Sequence, residues 1–349
     1  MSNTLDKKLI NYGEALYEAC FQEMAIDENV FVYGLGVDDP KGHYGTSKDF
    51  HKVYGNKRSF DVPLSEDSLT GIGIGAALAG LRPIYVHQRM DFLLLCMNQL
   101  VNMAAKLRYI SSGEHSVPMV IRAAIGRSWG QGAQHSQAFQ SYFMHIPGIK
   151  VIAPTTPHDA KGALIASIRD NNPVVFIEHR MLYNNAGYVP SKAYEVPFGK
   201  GRILKEGSDI TIVGVSHTVE DSLRAAELLK SVGVSAEIID PISLSPIDYN
   251  LIRNSANKTK KLLVVDNGWM TCGFSSEIIT DAAINCQNVA YDRIGFTETP
   301  CPTAPSLEKV FYPDPQTIAI KANEMCGGNE KWEPPEVEQH EIISFKGPF

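Results

Sequence analysis

The chain has 349 residues, of which 44% are hydrophobic and 20% are charged, and its formal net charge is −7. This length predicts two domains, and the ordinary composition excludes collagen-like and disordered chains. The negative charge argues against nucleic acid or an anionic membrane as partner, and the polar N-terminus and the lack of a membrane-length apolar run predict a cytoplasmic protein without a membrane span.

Strands and helices alternate through the first half of the sequence. Short apolar runs predict the strands, and longer stretches with helical periodicity predict the helices. Ser65 is the expected N-cap of one of these helices, and Gly80 is its stop signal. Such alternation predicts a mostly parallel sheet covered by helices. In chain order the predicted elements are helix 12–25, strand 29–34, strand 60–63, helix 66–79, strand 83–87, helix 92–111, strand 119–123, helix 135–145, strand 150–153, helix 157–170 and strand 174–178.

A stretch with proline and glycine at residues 191–204 interrupts this alternation, and we take it as a linker between two α/β domains. The domains are predicted to cover residues 1–190 and 205–325, each with a mostly parallel sheet between layers of helices. A polar tail over 326–349 has little periodicity and is expected to be mobile or to lie on a partner. The second domain is predicted to contain strand 209–215, helix 218–231, strand 235–240, helix 249–257, strand 261–266, helix 273–283 and strand 289–294.

The run Gly71-Ile-Gly73-Ile-Gly75 invites comparison with a phosphate-binding loop. No Lys-Ser/Thr pair follows it, and the glycines lie inside a predicted helix rather than between a strand and a helix. Small residues at this spacing favour a helix that another backbone approaches closely. Direct contact with a ligand is the alternative.

Two ionisable residues are candidates for chemistry. Glu66 opens an otherwise apolar helix, where the helix dipole favours a charged carboxylate and burial disfavours it. His135, in the polar segment GQGAQHSQ, precedes a predicted helix and can face a ligand. Each has a plain alternative: Glu66 as a solvent-exposed acid, and His135 as an incidental neighbour of the helix cap Ser136. Neither residue alone establishes an active site.

Taken in order, several segments resemble the beta subunit of the first, decarboxylating component of pyruvate and branched-chain 2-oxo acid dehydrogenase complexes. The resemblance extends over most of the chain. It implies a pyrimidine-binding domain of the transketolase-like thiamine-diphosphate superfamily, followed by a transketolase C-terminal-like domain. The segments are FDVPLSED, GIGIGAALAGLRP, NQLVNMAAKLRY, GQGAQHSQ, HIPGIKVIAPTTPHDAKGAL, SIRDNNPVVFIEHRMLY, VPFGKGRI and AEIIDPISLSPID.

The resemblance implies thiamine diphosphate as the cofactor and assigns roles to particular residues. Glu66 matches the family glutamate that hydrogen-bonds a ring nitrogen of the aminopyrimidine. Phe92 matches the aromatic residue beside that ring, although a core phenylalanine is also compatible, and Gln88 is expected to contact the cofactor as well. His135 matches the histidine that faces the reactive carbon and takes part in proton transfer or acyl hand-over.

A partner chain is also implied, because this sequence contains no Gly-Asp-Gly motif. In the family that motif, on an alpha-type subunit, holds magnesium and the diphosphate through hard oxygen ligands. The resemblance therefore implies an alpha-type partner in an α2β2 assembly. Asp170 and Asn172 fall where some relatives bind a structural potassium ion.

Departures from the family pattern lie beside the expected pocket. Leu35 stands where most relatives have an acidic residue, and Arg89 and Asp91 replace less charged residues. Arg89 and Gln134 are therefore candidates for the substrate pocket, where a new cation can bind a phosphate or carboxylate.

Three hypotheses about function follow. The leading one is decarboxylation of pyruvate or a related 2-oxo acid, with transfer of the acyl group to the lipoyl group of an acyltransferase. The second keeps the cofactor but delivers a two-carbon unit to a sugar or aldehyde, as a transketolase-like or carboligase subunit does. The third is a non-catalytic homologue that retains only the fold, against which the presence of both Glu66 and His135 argues.

Overall fold

A computed structural model of the chain describes residues 6–127, 130–335 and 337. Within those ranges the protein is α/β, with two mostly parallel sheets, as predicted. Every predicted strand is present, with small shifts at its ends. The strands are β1 (Lys7–Asn11), β2 (Val30–Gly34), β3 (Ser59–Asp61), β4 (Arg82–His87), β5 (Val120–Ile125), β6 (Lys150–Ile152), β7 (Val174–His179), β8 (Ala186–Pro190), β9 (Arg202–Lys205), β10 (Ile210–Gly214), β11 (Ala236–Asp240), β12 (Ser243–Ser245), β13 (Lys261–Trp269) and β14 (Ala290–Phe296).

The helices lie mostly between the strands. Ser65 is the N-cap residue of the helix that begins at Glu66, but its side chain makes no capping hydrogen bond. Gly80, just beyond the end of that helix, has a φ of +95°, which glycine adopts without strain. The α-helices are α1 (Tyr12–Ile26), α2 (Phe50–Tyr54), α3 (Glu66–Leu78), α4 (Ala105–Ile110), α5 (Gln140–Met144), α6 (Pro157–Arg169), α7 (His217–Leu229), α8 (Tyr249–Thr259), α9 (Phe274–Asn285), α10 (Pro305–Glu308) and α11 (Pro315–Met325).

The first sheet has the strand order β12-β6-β7-β5-β4-β2-β3. All neighbouring strands are parallel except β12, which pairs antiparallel with β6. Strand β12 belongs to the second half of the sequence, so it joins the two halves through backbone hydrogen bonds. The sheet otherwise contains the strands predicted for the first domain.

The second sheet has the order β14-β13-β10-β11-β9. Its strands are parallel except β9, which pairs antiparallel with β11. Strand β9 begins at Arg202, within the predicted linker, and was not predicted. A separate antiparallel pair, β1 with β8, was also not predicted.

Both faces of the first sheet are buried. Val174 and Phe176 of β7 pack into a core beneath α1 and α6, whereas Val175 and Ile177 pack into a core that contains α3 and extends to the second sheet. A strand that buries both faces is apolar throughout rather than alternating. This explains why these strands are continuous apolar runs in the sequence.

The helix predicted over residues 92–111 was wrong in its detail. The segment starts as a 3₁₀ helix (Met90–Cys96), continues as a π-helical stretch (Asn98–Ala104) and becomes α-helical only in α4. Met90, Leu93 and Cys96 are fully buried. Their spacing of three residues matches the three residues per turn of a 3₁₀ helix, which places them on one face.

The helix predicted over residues 135–145 begins only at Gln140. Residues 130–139 form a loop instead, because side chains bond its backbone N–H groups. Asp91 accepts a hydrogen bond from the Gln137 nitrogen, and the Met90 sulfur accepts one from the Phe139 nitrogen. These bonds replace the ones that a first helical turn would make.

The second domain ends in the unpredicted helix α11, although Asp314 and Pro315 form a recognisable helix start. The described part of the predicted tail packs on its own chain: Trp332 lies against the core beneath α7 and α11, and Gln316 donates a hydrogen bond to the Pro334 carbonyl. The rest of the tail, 336 and 338–349, lies outside the described residues. In the part of the chain that the structure describes, no helix is long and apolar enough to cross a membrane.

Candidate active site

The predicted site residues follow strands that end at one edge of the first sheet. Glu66 follows β3, whereas Gln88, Arg89 and Phe92 follow β4, and His135 lies on the loop after β5. Because these strands are parallel, their carboxyl ends meet at the same edge. This edge is where ligands bind in open α/β sheets.

Glu66 lies half-buried at the first position of α3. Its backbone carbonyl accepts hydrogen bonds from the Thr70 hydroxyl at 2.7 Å and from the Cys96 thiol at 3.3 Å, which fixes the start of the helix. A cavity of about 50 Å³ adjoins the residue. The cavity is lined by Leu35, Val62, Pro63, Leu64, Glu66, Tyr85, Val86, His87, Gln88 and Phe92.

His87, the last residue of β4, lines this cavity and was missed by the sequence analysis. Burial, reinforced by the neighbouring His43, lowers the pKa of His87 to about 3, so its imidazole is neutral. Its Nε2 atom is buried and has no hydrogen-bond partner among the described residues. Leaving such an atom unpaired costs about 1 to 3 kcal/mol. In the sequence, the only sign of this residue's role is that a histidine ends an apolar, strand-like run.

Phe92 and His135 form the other prominent contact at this edge. Their rings meet edge to face, with centroids 5.5 Å apart and an interplanar angle of 81°. Phe92 is half-buried, whereas His135 is exposed. The structure therefore brings Glu66 and Phe92 to one cavity and places His135 against Phe92.

Asp91 connects the 3₁₀ segment of Phe92 to the loop of His135. Its Oδ1 atom accepts hydrogen bonds from the Gln137 backbone nitrogen at 3.2 Å and from the Gln137 side-chain nitrogen at 2.9 Å. Asp91 is buried, and this burial raises its pKa. In the sequence, Asp91 stands out only as a departure from the family pattern, and no local signal predicts its hydrogen bonds to Gln137.

The second domain supports the same loop from the other side. Gly130 and Gly132 have φ values of +66° and +68°, and a Cβ atom on either would come within 2.8 Å of Thr303. Glycine is required here for both the left-handed backbone and the close approach. The loop of His135 is thus held between the two domains.

The remaining pocket candidates differ in exposure. Arg89 is buried and Gln134 is exposed. Gln88 is also exposed, and its side-chain amide donates a hydrogen bond to the Leu35 carbonyl at 3.2 Å, which ties the loop after β2 to the cavity. Burial lowers the pKa of the Arg89 guanidinium, although the residue keeps its charge at neutral pH.

Asp170 and Asn172 lie away from this edge, after α6. The Asp170 carboxylate pairs with Lys150 and accepts hydrogen bonds from the Asn172 backbone and side-chain nitrogens. The Asp170 carbonyl accepts one from Arg82. These oxygens of Asp170 already face protein cations and donors, so Asp170 itself is poorly suited to bind a potassium ion. Within the described ranges, no three His, Cys, Asp or Glu side chains cluster to hold a metal ion.

Two family models match the chain and together span most of it. The first, "Transketolase, pyrimidine binding domain", matches residues 8–185. The second, "Transketolase, C-terminal domain", matches residues 199–318. The first match contains the whole cavity and the loop of His135.

Curated relatives match over nearly their whole length. The acetoin:2,6-dichlorophenolindophenol oxidoreductase subunit beta of Cupriavidus necator is 39% identical over 329 residues, which are 90% of this chain and 97% of the relative. The pyruvate dehydrogenase E1 component subunit beta of Gracilaria tenuistipitata var. liui is 40% identical, with coverage of 88% and 97%. The Bacillus subtilis acetoin:2,6-dichlorophenolindophenol oxidoreductase subunit beta is 36% identical, with coverage of 92% and 98%.

Among solved structures, the chain is similar to a split-gene transketolase described as an inactive beta4 tetramer. The TM-score is 0.75 at 20% sequence identity, and the match covers 91% of this chain and 98% of the other. At this identity the likeness establishes the fold alone.

Proposed function

Because this chain belongs to the transketolase-like family of pyruvate and acetoin dehydrogenase beta subunits, we propose that it supplies the pyrimidine-binding half of a thiamine-diphosphate active site. The proposed reaction decarboxylates pyruvate or a related 2-oxo acid and transfers the acyl group to a lipoyl acceptor. The main structural support is the cavity shared by Glu66, His87 and Phe92, with His135 against Phe92.

The residues around this cavity fit the aminopyrimidine of the cofactor. An aminopyrimidine is a flat ring with hydrogen-bonding nitrogens at its edge. Tyr85, Val62 and Phe92 provide apolar walls, whereas Glu66 and His87 are polar residues of the lining. Such a combination of apolar walls with few polar groups is typical of cofactor sites.

When bound, thiamine diphosphate supplies the electron sink that lets the carboxyl group of a 2-oxo acid leave as carbon dioxide. Glu66 would hold a proton at a pyrimidine ring nitrogen. Phe92 would pack beside the ring and keep water from it. His135, exposed on its loop, would bind the substrate and move protons during acyl transfer.

We further propose that an alpha-type subunit completes the site and holds magnesium and the diphosphate, in an α2β2 assembly. The absence of Gly-Asp-Gly from this sequence supports this division of labour. The face of α3 with Gly75 and Ile72 is exposed in the single chain and lies on the helix that begins at Glu66, which makes it a candidate contact. We also propose that the acyl group passes to a lipoyl-bearing acyltransferase and that the protein is cytoplasmic.

Transfer of a two-carbon unit to a sugar or aldehyde is the weaker alternative. The curated relatives named above are beta subunits of a dehydrogenase and of oxidoreductases rather than transketolases. The solved transketolase shares only the fold at 20% identity.

The test is to co-express the chain with an alpha-type subunit from the same genome and to assay 2-oxo acids. Pyruvate should be decarboxylated with reduction of dichlorophenolindophenol, and a lipoyl domain should be acylated. Glu66→Gln should lower kcat by at least about 100-fold, because general acid–base groups typically contribute 10²- to 10⁴-fold.

Asp67→Asn is a matched control, because Asp67 is an exposed carboxylate in the same helical turn. It should keep kcat within about twofold, as surface substitutions usually do. Full turnover by Glu66→Gln would refute a catalytic role. Condensation with an aldehyde in the absence of lipoyl acylation would favour the alternative.

A further inference from the structure

Arg89 lies just after β4 and has a buried guanidinium at the same edge of the first sheet as the candidate active site, although it does not line the cavity beside Glu66. We propose that Arg89 binds an anionic group, a carboxylate or a phosphate, at the end of the substrate away from the reacting carbon. This inference rests on the proposed function and adds that 2-oxo acids or acceptors with an additional acid group are preferred over those without one.

Arg89 is poorly paired for a buried arginine. It is 5% exposed, and one of its terminal nitrogens donates a long hydrogen bond of 3.5 Å to the Gly126 carbonyl. The other terminal nitrogen, NH2, is buried without a hydrogen-bond partner among the described residues. Arg89 forms no salt bridge with an acidic residue in the described part of the chain. A buried charge in this condition is costly unless a counter-ion joins it.

Arg122 is another buried arginine in this protein, and its hydrogen bonds can be compared with those of Arg89. Arg122 is 1% exposed, and the Glu178 carboxylate accepts two of its N–H groups. A third hydrogen bond reaches the Thr46 hydroxyl at 2.8 Å. Arg89 has no such set, so its surroundings do not account for its charge.

The surroundings of Arg89 are electropositive and partly aromatic. Arg127 is also buried and lies 5.0 Å from the centre of the Tyr312 ring. Burial and nearby arginines, Arg89 among them, lower the pKa values of His43 and His179, so these histidines are neutral. Asp91 is the neighbouring acid, but its carboxylate already accepts two hydrogen bonds from Gln137. Asp91 attracts Arg89 but forms no salt bridge with it among the described residues, so an incoming anion would still find an unpaired guanidinium nitrogen.

The position of Arg89 connects it with the candidate active site. It precedes Phe92 by three residues at the same strand end, and its partner Gly126 begins the segment that leads to His135. Arg89 and His135 thus follow two neighbouring strands, β4 and β5, at one edge of the sheet, and in this proposal a substrate that reacts at His135 places its other end at Arg89. The planar guanidinium suits a carboxylate or phosphate, which it binds through two parallel hydrogen bonds.

The test compares 2-oxo acids with and without a distal acid group, in the complex with the alpha-type subunit. The measured quantity is the ratio of kcat/KM for 2-oxoglutarate or 2-oxoadipate to kcat/KM for 2-oxobutyrate. We expect the wild-type ratio to exceed one and Arg89→Met to lower it by about 100-fold, chiefly through KM. Arg89→Lys should restore part of it, since lysine keeps the charge but loses the planar fork.

The same variants distinguish an acid group on the donor from one on the acceptor. If the ratio among 2-oxo acids does not respond but condensation with a phosphorylated aldehyde loses about 100-fold relative to its unphosphorylated analogue, the anion belongs to the acceptor. An unchanged preference in both series overturns the proposal. An equal loss for every 2-oxo acid also overturns it, because Arg89 would then bind the reacting carboxylate.

Thermal unfolding of the full chain separates this proposal from the failure of the proposed function. Malonate or inorganic phosphate should raise the Tm of the wild-type chain more than chloride at equal ionic strength, and Arg89→Met should abolish the difference. Without an anion, Arg89→Met should have a Tm equal to or above the wild type, as expected where a charge is kept for binding. A large loss of Tm in Arg89→Met would indicate a structural role. An anion response without any 2-oxo acid decarboxylation would refute only the proposed reaction.

Discussion

Gln137 donates two hydrogen bonds to a single oxygen of the buried Asp91 carboxylate, at 3.2 and 2.9 Å. One comes from its backbone and the other from its side chain. The pair joins the 3₁₀ segment of Phe92 to the loop of His135. Asp91 therefore acts as a positioning residue for the edge-to-face contact between Phe92 and His135.

Asp91→Ala should lower kcat by about 10- to 100-fold with a smaller change in KM, because small displacements of catalytic groups are costly. Asp91→Asn should keep most of the activity, since an amide oxygen accepts the same two hydrogen bonds. Steady-state kinetics of the complex with its partner checks this. Similar losses in both variants would mean that the negative charge of Asp91 is itself required.

The strand pattern of the first sheet could be predicted because strands buried on both faces are long apolar runs. The convergence of Glu66, Phe92 and His135 could not be obtained from composition, and it was anticipated only through the family resemblance. The helix prediction failed at residues 130–139 because this loop is held by hydrogen bonds to Asp91 and Met90, which are distant in sequence. Contacts of that kind leave no local pattern.

His87 and the poor pairing of Arg89 illustrate a different limit. Both residue types are visible in the sequence, but their burial and their lack of partners are properties of the packed structure. The edge strand β12 also could not be predicted, because its three residues form a strand by pairing with β6 from the other half of the chain. A periodicity analysis cannot assign such partners.

The stability of this chain should fall in mild acid. Burial lowers the pKa values of His43 and His87 from 6.5 to about 3. Below pH 6.5 these two histidines are therefore protonated in the unfolded chain but remain neutral in the folded chain. The free energy of unfolding is highest above pH 6.5 and decreases as the pH falls toward 3. The slope should approach about 1.4 kcal/mol per pH unit for each histidine.

Urea unfolding of the isolated chain between pH 7.5 and pH 4.5 measures this slope. His87→Gln should lower the slope by the contribution of one histidine. His115→Gln, at an exposed position, should leave the slope unchanged. A free energy of unfolding that is flat between pH 6.5 and pH 5 would contradict the prediction.

Two glycines of α3 should respond in opposite ways to the same substitution. A Cβ atom at Gly73 would lie 2.2 Å from the Tyr33 hydroxyl, whereas one at Gly75 would meet nothing within 4 Å. Gly73→Ala should destabilise the chain by about 1 to 3 kcal/mol through overpacking. Gly75→Ala should stabilise it by about 0.5 to 1 kcal/mol, because alanine favours an exposed helix.

Chemical denaturation of the isolated chain checks these values. Gly75→Leu then tests whether the exposed face of α3 is a subunit contact. It should leave the single chain folded but weaken binding to the alpha-type subunit by at least about tenfold, which corresponds to 1.4 kcal/mol. Unchanged assembly, measured by native mass spectrometry, would exclude this face from the interface.

The buried pair of Arg122 and Glu178 should be the most sensitive polar contact near the site. Glu178 also accepts a hydrogen bond from the Tyr183 hydroxyl at 2.9 Å, and Arg122 donates one to Thr46, so the pair links β5 and β7 to the loop after β2. Glu178→Gln leaves a buried guanidinium without its counter-charge and should cost about 3 to 5 kcal/mol. Glu227→Gln, which removes an exposed partner of Lys230, should cost less than about 1 kcal/mol. Urea unfolding at pH 7.5 compares the two variants, and equal losses would show that the Arg122–Glu178 pair contributes no more to stability than a surface contact.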